Sequence, residues 1–115
     1  PLYSVGKHGA DEKGNKDSLL PLFEQYGVSA VFSGHEHNYQ RFFDKGIYFV
    51  VTGGGGSLLK DRAKESEYLQ VFKKVYHFCA LTPGDTALKV TVYDVDLKVI
   101  DDFQIAPLKQ HAELP

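Results

Sequence analysis

One hundred and fifteen residues, 43% hydrophobic and 24% charged, fit one soluble globular domain and exclude a disordered or low-complexity chain. Thirteen basic and fifteen acidic residues leave a formal charge of −2 with no basic stripe, which argues against a nucleic-acid partner. No apolar run reaches the roughly 20 residues that span a bilayer, so no membrane partner is expected. The single cysteine, Cys79, excludes an internal disulfide framework or a cysteine-rich zinc site.

Residues 1–17 are polar and glycine-spotted and predict an extended start followed by a loop, with Gly6, Gly9 and Gly14 free to take positive φ. Asp17 or Ser18 is the expected cap of a helix running to about Tyr26. Leu19, Leu20, Phe23 and Tyr26 keep helical spacing, Pro21 lies early in it, and Gly27 stops it. Val28–Phe32 reads as a short strand covered on both faces, and Ile47–Thr52 as a second. A hairpin-like link with Asp44-Lys45-Gly46 as its turn joins them. Residues 57–74 read as a polar, partly helical surface excursion. From Val75 onward three strands follow, joined by two short turns, and Leu88, Val90 and Val92 show the alternation of a half-exposed strand. Pro107–Pro115 is a polar tail. The order predicts an α/β (α+β) fold class, a mixed sheet ending in an antiparallel meander. Its first strands want pairing partners from outside this chain, so self-association through open sheet edges is expected. With Pro1 first and no methionine anywhere, the chain reads as a portion of a longer protein.

The sharpest chemical feature is Ser33-Gly34-His35-Glu36-His37-Asn38 directly after a buried strand. On extended backbone His35 and His37 would point the same way, and imidazole is the common ligand of zinc, iron and manganese. Two solvated loop histidines are the plain alternative, and two imidazoles alone do not complete a site. Thr52 followed by Gly53–Gly56 could cradle an anion, or could be a tight turn beneath a neighbouring element. His8, between Lys7 and Gly9, is either a proton donor to a phosphate or leaving group, or a solvated loop histidine. Asn38 and Arg41 flank the pair and could orient a ligand by hydrogen bonds, although a surface ion pair suits Arg41 equally. His77, His111 and Cys79 read as structural or incidental, and the charge run Lys60–Glu67 as a solvated face.

PLYSVGKHG, then PLFEQYGVSAVFSGHEHNYQR, then IYFVVTGGGG resemble, in that order, the C-terminal half of a calcineurin-like metallophosphoesterase of the purple acid phosphatase-like branch. That resemblance implies residues 1–106 to be the C-terminal portion of an αββα sandwich, with the N-terminal half of the same domain as its partner. It implies two metal ions, iron, zinc or manganese, in the parent protein, with none bound as the alternative for this chain alone. His35 and His37 would be one ligand each, His8 a phosphate-contacting catalytic histidine, and Asn38, Tyr39 and Arg41 supporting residues around them. The implied substrate is a phosphomonoester, cleaved by metal-activated water. A catalytically inactive interaction module is the alternative for this portion alone. Localisation stays open, with an exported site favoured only by the family. The family's D-x-H, GDxx[DY] and GNH[DE] motifs are absent, Glu36 replaces the more frequent Asp, Gln40 stands where Glu is usual, and Leu97 where Gly is common.

Overall fold

The computed structural model describes residues 1–9 and 14–107. The tail after Pro107, with His111, lies outside the described residues. Helix α1 (Lys16–Gln25) precedes seven strands: β1 (Ala30–Ser33), β2 (Tyr39–Asp44), β3 (Ile47–Thr52), β4 (Leu69–Lys73), β5 (His77–Pro83), β6 (Leu88–Asp94) and β7 (Val99–Ile105). Two sheets form, one mixed in the order β1-β3-β2-β4 and one antiparallel in the order β5-β6-β7. The α+β class and the closing meander are therefore present.

Alternation along β3 sets the layers. Ile47, Phe49 and Val51 pack with Tyr3, Val5, Leu20 and Phe42 beneath the helix and the N-terminal segment. Val50, together with Tyr39 of β2, packs with Val90, Val92, Phe103 and Ile105 of the second sheet. The mixed sheet is thus the middle of three layers. Its tie to the outer sheet is polar. Tyr39 Oη donates to Asp101 Oδ2 at 2.6 Å, and Arg41 donates to the same carboxylate from Nε at 2.7 Å and Nη2 at 3.1 Å. The Arg41 guanidinium also lies 4.8 Å over the Phe103 ring.

Four local expectations change. The helix begins at Lys16, with Asn15 in the cap position and no side-chain cap bond, so neither Asp17 nor Ser18 caps it. Pro21 is consequently the sixth helical residue, and its missing N–H leaves the Asp17 carbonyl without that bond. The helix end is as expected: Gly27 sits at φ 68°, with Gly27 N bonding Glu24 O and Val28 N bonding Phe23 O, the paired bonds of a left-handed stop. Strand β1 is half-buried rather than covered on both faces, with Phe32 37% exposed at the sheet edge. The link before Asp44-Lys45-Gly46 is itself strand β2, and residues 57–74 contain strand β4 and no helix. Leu97 takes φ 63° in the last hairpin, the left-handed conformation a glycine would adopt without strain.

The Asp101 carboxylate is the joint between the sheets. Its side chain is 7% exposed and that of Arg41 14%. Asp101→Ala should lower unfolding free energy by about 3 kcal/mol, because it leaves a buried guanidinium unpaired. Urea denaturation measures this, and a loss below about 1 kcal/mol would contradict the assignment.

Candidate functional site

Strands β1 and β3 run parallel, pairing Ala30 with Tyr48 through Ser33 with Val51. Their carboxyl ends therefore lie side by side, where open α/β sheets build their sites. The chain leaves β1 and must reach β2 on the far side of β3, so residues 34–38 cross over the end of β3. That crossing dictates Gly53. A Cβ there would stand 2.0 Å from the Glu36 carbonyl oxygen. Gly54 is equally constrained, since its Cβ would meet the His77 ring at 2.6 Å and Val75 O at 2.7 Å. Gly53 N donates to Asn38 O at 3.1 Å. The first half of the glycine run thus packs closely under neighbouring segments, and the Gly53 amide is engaged there rather than open to an anion.

The crossing segment is not extended. His35 takes φ 78°, a left-handed conformation that is strained for a residue with a side chain. A Cβ on Gly34 would meet nothing within 4 Å, so Gly34 answers no steric demand and the unusual backbone falls on the histidine. Asn38 N then bonds Glu36 O at 2.9 Å, folding the chain tightly about His37.

A buried relay of side-chain amides holds this segment. Gln40 Oε1 accepts from Val5 N at 2.8 Å, and Gln40 Nε2 donates to Asn38 Oδ1 at 2.7 Å. Asn38 Nδ2 in turn donates to Lys60 O at 3.1 Å. Glu36, only 1% exposed, accepts from His8 N at 2.9 Å. A Cβ on Gly6 would lie 1.8 Å from the Glu36 carboxylate, so Gly6 is required by that contact and not by a positive φ. The segment after β3 closes the far side. Lys60 N donates to His37 O at 3.0 Å, and Ala63 N and Lys64 N both donate to Val5 O.

The outcome is a partly enclosed cleft of about 220 Å³ lined by Lys7, His8, His35, Glu36, His37 and Lys60. Three histidines from two separate segments meet there, and the His8 and His35 rings lie 4.3 Å apart. His37 Nδ1 sits 2.9 Å from Leu58 O. A carbonyl only accepts, so Nδ1 carries the proton and Nε2 is left with its lone pair in the neutral ring. That is the tautomer of a metal-ligating histidine backed by a carbonyl. Among the described residues, however, no group of three or more His, Cys, Asp or Glu side chains is arranged to hold a metal ion. The donor chemistry fits a metal, but the donor number does not complete a site.

The flanking residues divide. Asn38 supports the crossing segment directly. Tyr39 and Arg41 send their side chains to Asp101 on the sheet's opposite face, and burial together with that bond pushes the Tyr39 hydroxyl well above its usual range. Glu36 and Gln40 entered the sequence reading as departures from the family pattern, Lys60 as part of a solvated charge run, and Lys7 only as the neighbour of His8. The available signal was polar residues at alternate positions where β2 begins.

His77 lies elsewhere. Its Nδ1 donates to Val75 O at 2.8 Å, its Nε2 accepts from Thr52 Oγ1 at 2.8 Å, and its backbone N bonds Gly54 O. Cys79 Sγ contacts Thr52 Oγ1 at 3.6 Å, and burial raises its thiol above the ordinary value. Both are structural.

No protein-family model matches the chain. Over 56 residues it is 39% identical to tartrate-resistant acid phosphatase type 5 of rat and of human, a stretch covering 48% of this chain and 17% of each relative. It is 31% identical over 116 residues to a nucleotide pyrophosphatase/phosphodiesterase of barley, covering 83% of this chain and 32% of that one. The chain thus spans between a sixth and a third of these relatives' length. A solved structure titled GAP50, the anchor in the inner membrane complex of Plasmodium, superposes with a TM-score of 0.86 at 21% identity, over 95% of this chain and 35% of that one. It shows the fold. The sequence matches show a phosphoesterase-like relationship.

Two measurements check this description. Gln40→Glu replaces the amide that donates to Asn38 Oδ1 with a second acceptor. Unfolding free energy should fall by about 1–3 kcal/mol, less at a pH low enough to protonate the new carboxyl. Unchanged stability at neutral pH would refute the relay. Burial holds His77 below its ordinary value of 6.5. The unfolded chain therefore takes up this proton first as pH falls, so stability should decline from about pH 7 downward through 6.5 and level off below the folded-state value. The denaturant midpoint of His77→Gln should show a smaller decline over the same interval. An identical decline would exclude His77 as its source.

Proposed function

We propose that this chain is the C-terminal portion of a calcineurin-like, purple acid phosphatase-like metallophosphoesterase, and that the parent protein hydrolyses phosphomonoesters. The observation that carries the reading is the convergence of His8, His35 and His37 on one cleft at the carboxyl ends of two parallel strands. The phosphatase and phosphodiesterase names of the sequence relatives support it.

In this reading His35 and His37 would each hold one of two metal ions, iron, zinc or manganese. The remaining ligands, including a bridging carboxylate, come from the N-terminal half of the domain, the partner of this portion. When bound, the metals supply a nucleophilic water of lowered pKa and charge stabilisation of the phosphoryl oxygens. This chain's own part is positional. The Leu58 carbonyl fixes the His37 ring with Nε2 as the donor atom. Glu36, by accepting from the His8 amide, holds the His8 loop beside His35, which sets that imidazole to hydrogen-bond a phosphate oxygen or protonate a leaving group. Asn38 secures the segment carrying both ligands. Tyr39 and Arg41 act farther off, fixing β2 to the outer sheet. The alternative, an interaction module without activity, applies to the 115 residues alone. The incomplete donor set among the described residues favours it for that isolated portion, where open strand edges also favour self-association.

The parent protein should hydrolyse p-nitrophenyl phosphate, and His35→Ala or His37→Ala should each reduce kcat by several orders of magnitude with the fold retained by circular dichroism. Full turnover in both variants would overturn the assignment. Stoichiometric binding of two metal ions by this chain alone, as measured by calorimetry, would instead overturn the inactive-module alternative for the isolated portion.

A further inference from the structure

We infer that this chain forms a two-fold dimer in which the free edge of β5 pairs with β5 of a second copy, in a register centred on Ala80. The inference does not depend on the phosphoesterase reading. It gives the self-association expected of open sheet edges one strand and one register, and the strand is not the β1 that element order alone suggested.

Among the described residues the sheet edges are β1 and β4 in the mixed sheet and β5 and β7 in the outer one. An edge that stays unpaired in solution is blunted by charge, by proline or by a bulge. Strand β4 carries Lys73, and its ladder with β2 shifts register at Arg41/Phe42. Strand β7 holds Asp101 and Asp102 side by side, and its ladder with β6 shifts at Val92/Tyr93. Two copies joined there would bring carboxylates together. Strand β1 is only four residues long. Strand β5 has seven residues, an unbroken ladder with β6, and no Asp, Glu, Lys or Arg. Its apolar side chains are incompletely covered, Phe78 being 49% and Leu81 46% exposed. Leu81 shares a face with Cys79, which packs against the core between the sheets, so its exposure marks that core as open on the β5 side.

The hydrogen-bond phase of β5 fixes how a second copy joins. Gly84 N bonds Ala87 O at 2.9 Å, and Pro83, opposite Leu88, has no N–H to give. Antiparallel ladders alternate bonded and non-bonded pairs. Phe78, Ala80 and Thr82 therefore bond to β6, whereas His77, Cys79, Leu81 and Pro83 turn their backbone groups outward. His77 bears this out, since its N–H bonds Gly54 O at 3.1 Å rather than β6. That donor is taken and Pro83 has none. Cys79 and Leu81 are left with an outward N–H and C=O each that no described residue bonds. Setting Cys79 opposite Leu81 of an antiparallel second β5 pairs every one of these groups, and Ala80 then faces its own copy across the axis. A charged peptide would find no counter-charge along this edge. A second β5 matches it in length, in lack of charge and in phase.

Sedimentation equilibrium of the 115-residue chain should show a reversible monomer–dimer equilibrium. Leu81→Pro removes an outward donor from each copy and no bond to β6, and should raise the dimer Kd at least about tenfold. Gln104→Pro makes the equivalent change at the β7 edge and should leave the Kd within about twofold. A second measurement reads the seam in a chain whose ladder is untouched. In the Cys79→Ala/Ala80→Cys variant the new thiols oppose each other as a non-bonded antiparallel pair, a Cα separation of about 4.5 Å that suits a disulfide. Oxidation with diamide should therefore link two chains covalently. A chain that stays monomeric at submillimolar concentration, larger aggregates without a dimer, a dimer weakened by Gln104→Pro but not by Leu81→Pro, or no cross-link at position 80 would overturn the inference. Neither metal nor turnover enters these readouts, so their failure is distinct from failure of the phosphoesterase reading.

Discussion

Two side-chain amides, those of Gln40 and Asn38, sit at the point where three pieces of chain meet, and the geometry of the cleft depends on them. The N-terminal segment is held through Val5 N, the crossing segment through Asn38 itself, and the stretch after β3 through the Lys60 carbonyl. Both side chains are fully buried. Each amide needs one partner for its oxygen and one for its nitrogen, and every link here joins a donor to an acceptor. Such a relay is intolerant of partial change, because a buried group left without a partner costs about 1–3 kcal/mol. It also explains why carboxamides serve where a carboxylate, which only accepts, would face the Asn38 oxygen without a hydrogen between them.

Around that junction the backbone is under strain where the chemistry is expected. The order β1-β3-β2 forces the chain across the top of β3, and the crossing is short. His35 absorbs the bend in a left-handed conformation, at a cost of roughly 1–2 kcal/mol. The Glu36 side chain beneath it and the two-layer core below keep that conformation in place. The outer sheet contributes indirectly. By gripping Tyr39 and Arg41 through Asp101, it anchors the first residues of β2 immediately after the crossing.

Much of this was legible in the residues, and the failures have a common cause. Ile47–Thr52, the final three strands and the Gly27 stop were read correctly because apolar periodicity and glycine geometry announce them. Strand β2 was missed because Gln40 and Arg41 break its apolar alternation. Both are satisfied by partners about 30 to 60 positions away in sequence, at Val5 and Asp101, which no local pattern reveals. Strand β4 was hidden in a charged stretch because one of its edges is solvated. The His35–His37 pair was found from its place after a strand, but on the wrong backbone. An extended run would have aligned the rings by alternation, whereas a tight reversal brings them to the cleft instead. The role of Glu36 as the support for the His8 loop had no signal beyond its position between the two histidines.

The glycine run after β3 is chemically uniform but mechanically divided. At Gly53 and Gly54 nothing larger than hydrogen fits, whereas a methyl at Gly55 or Gly56 would touch nothing. The two outer positions are exposed, two to five residues ahead of the Leu58 carbonyl and the Lys60 backbone. A side chain can therefore be placed at either outer position without meeting a neighbour, so sequence drift or a single-residue label there leaves the segment that carries the imidazoles where it is. The inner pair admits no such change.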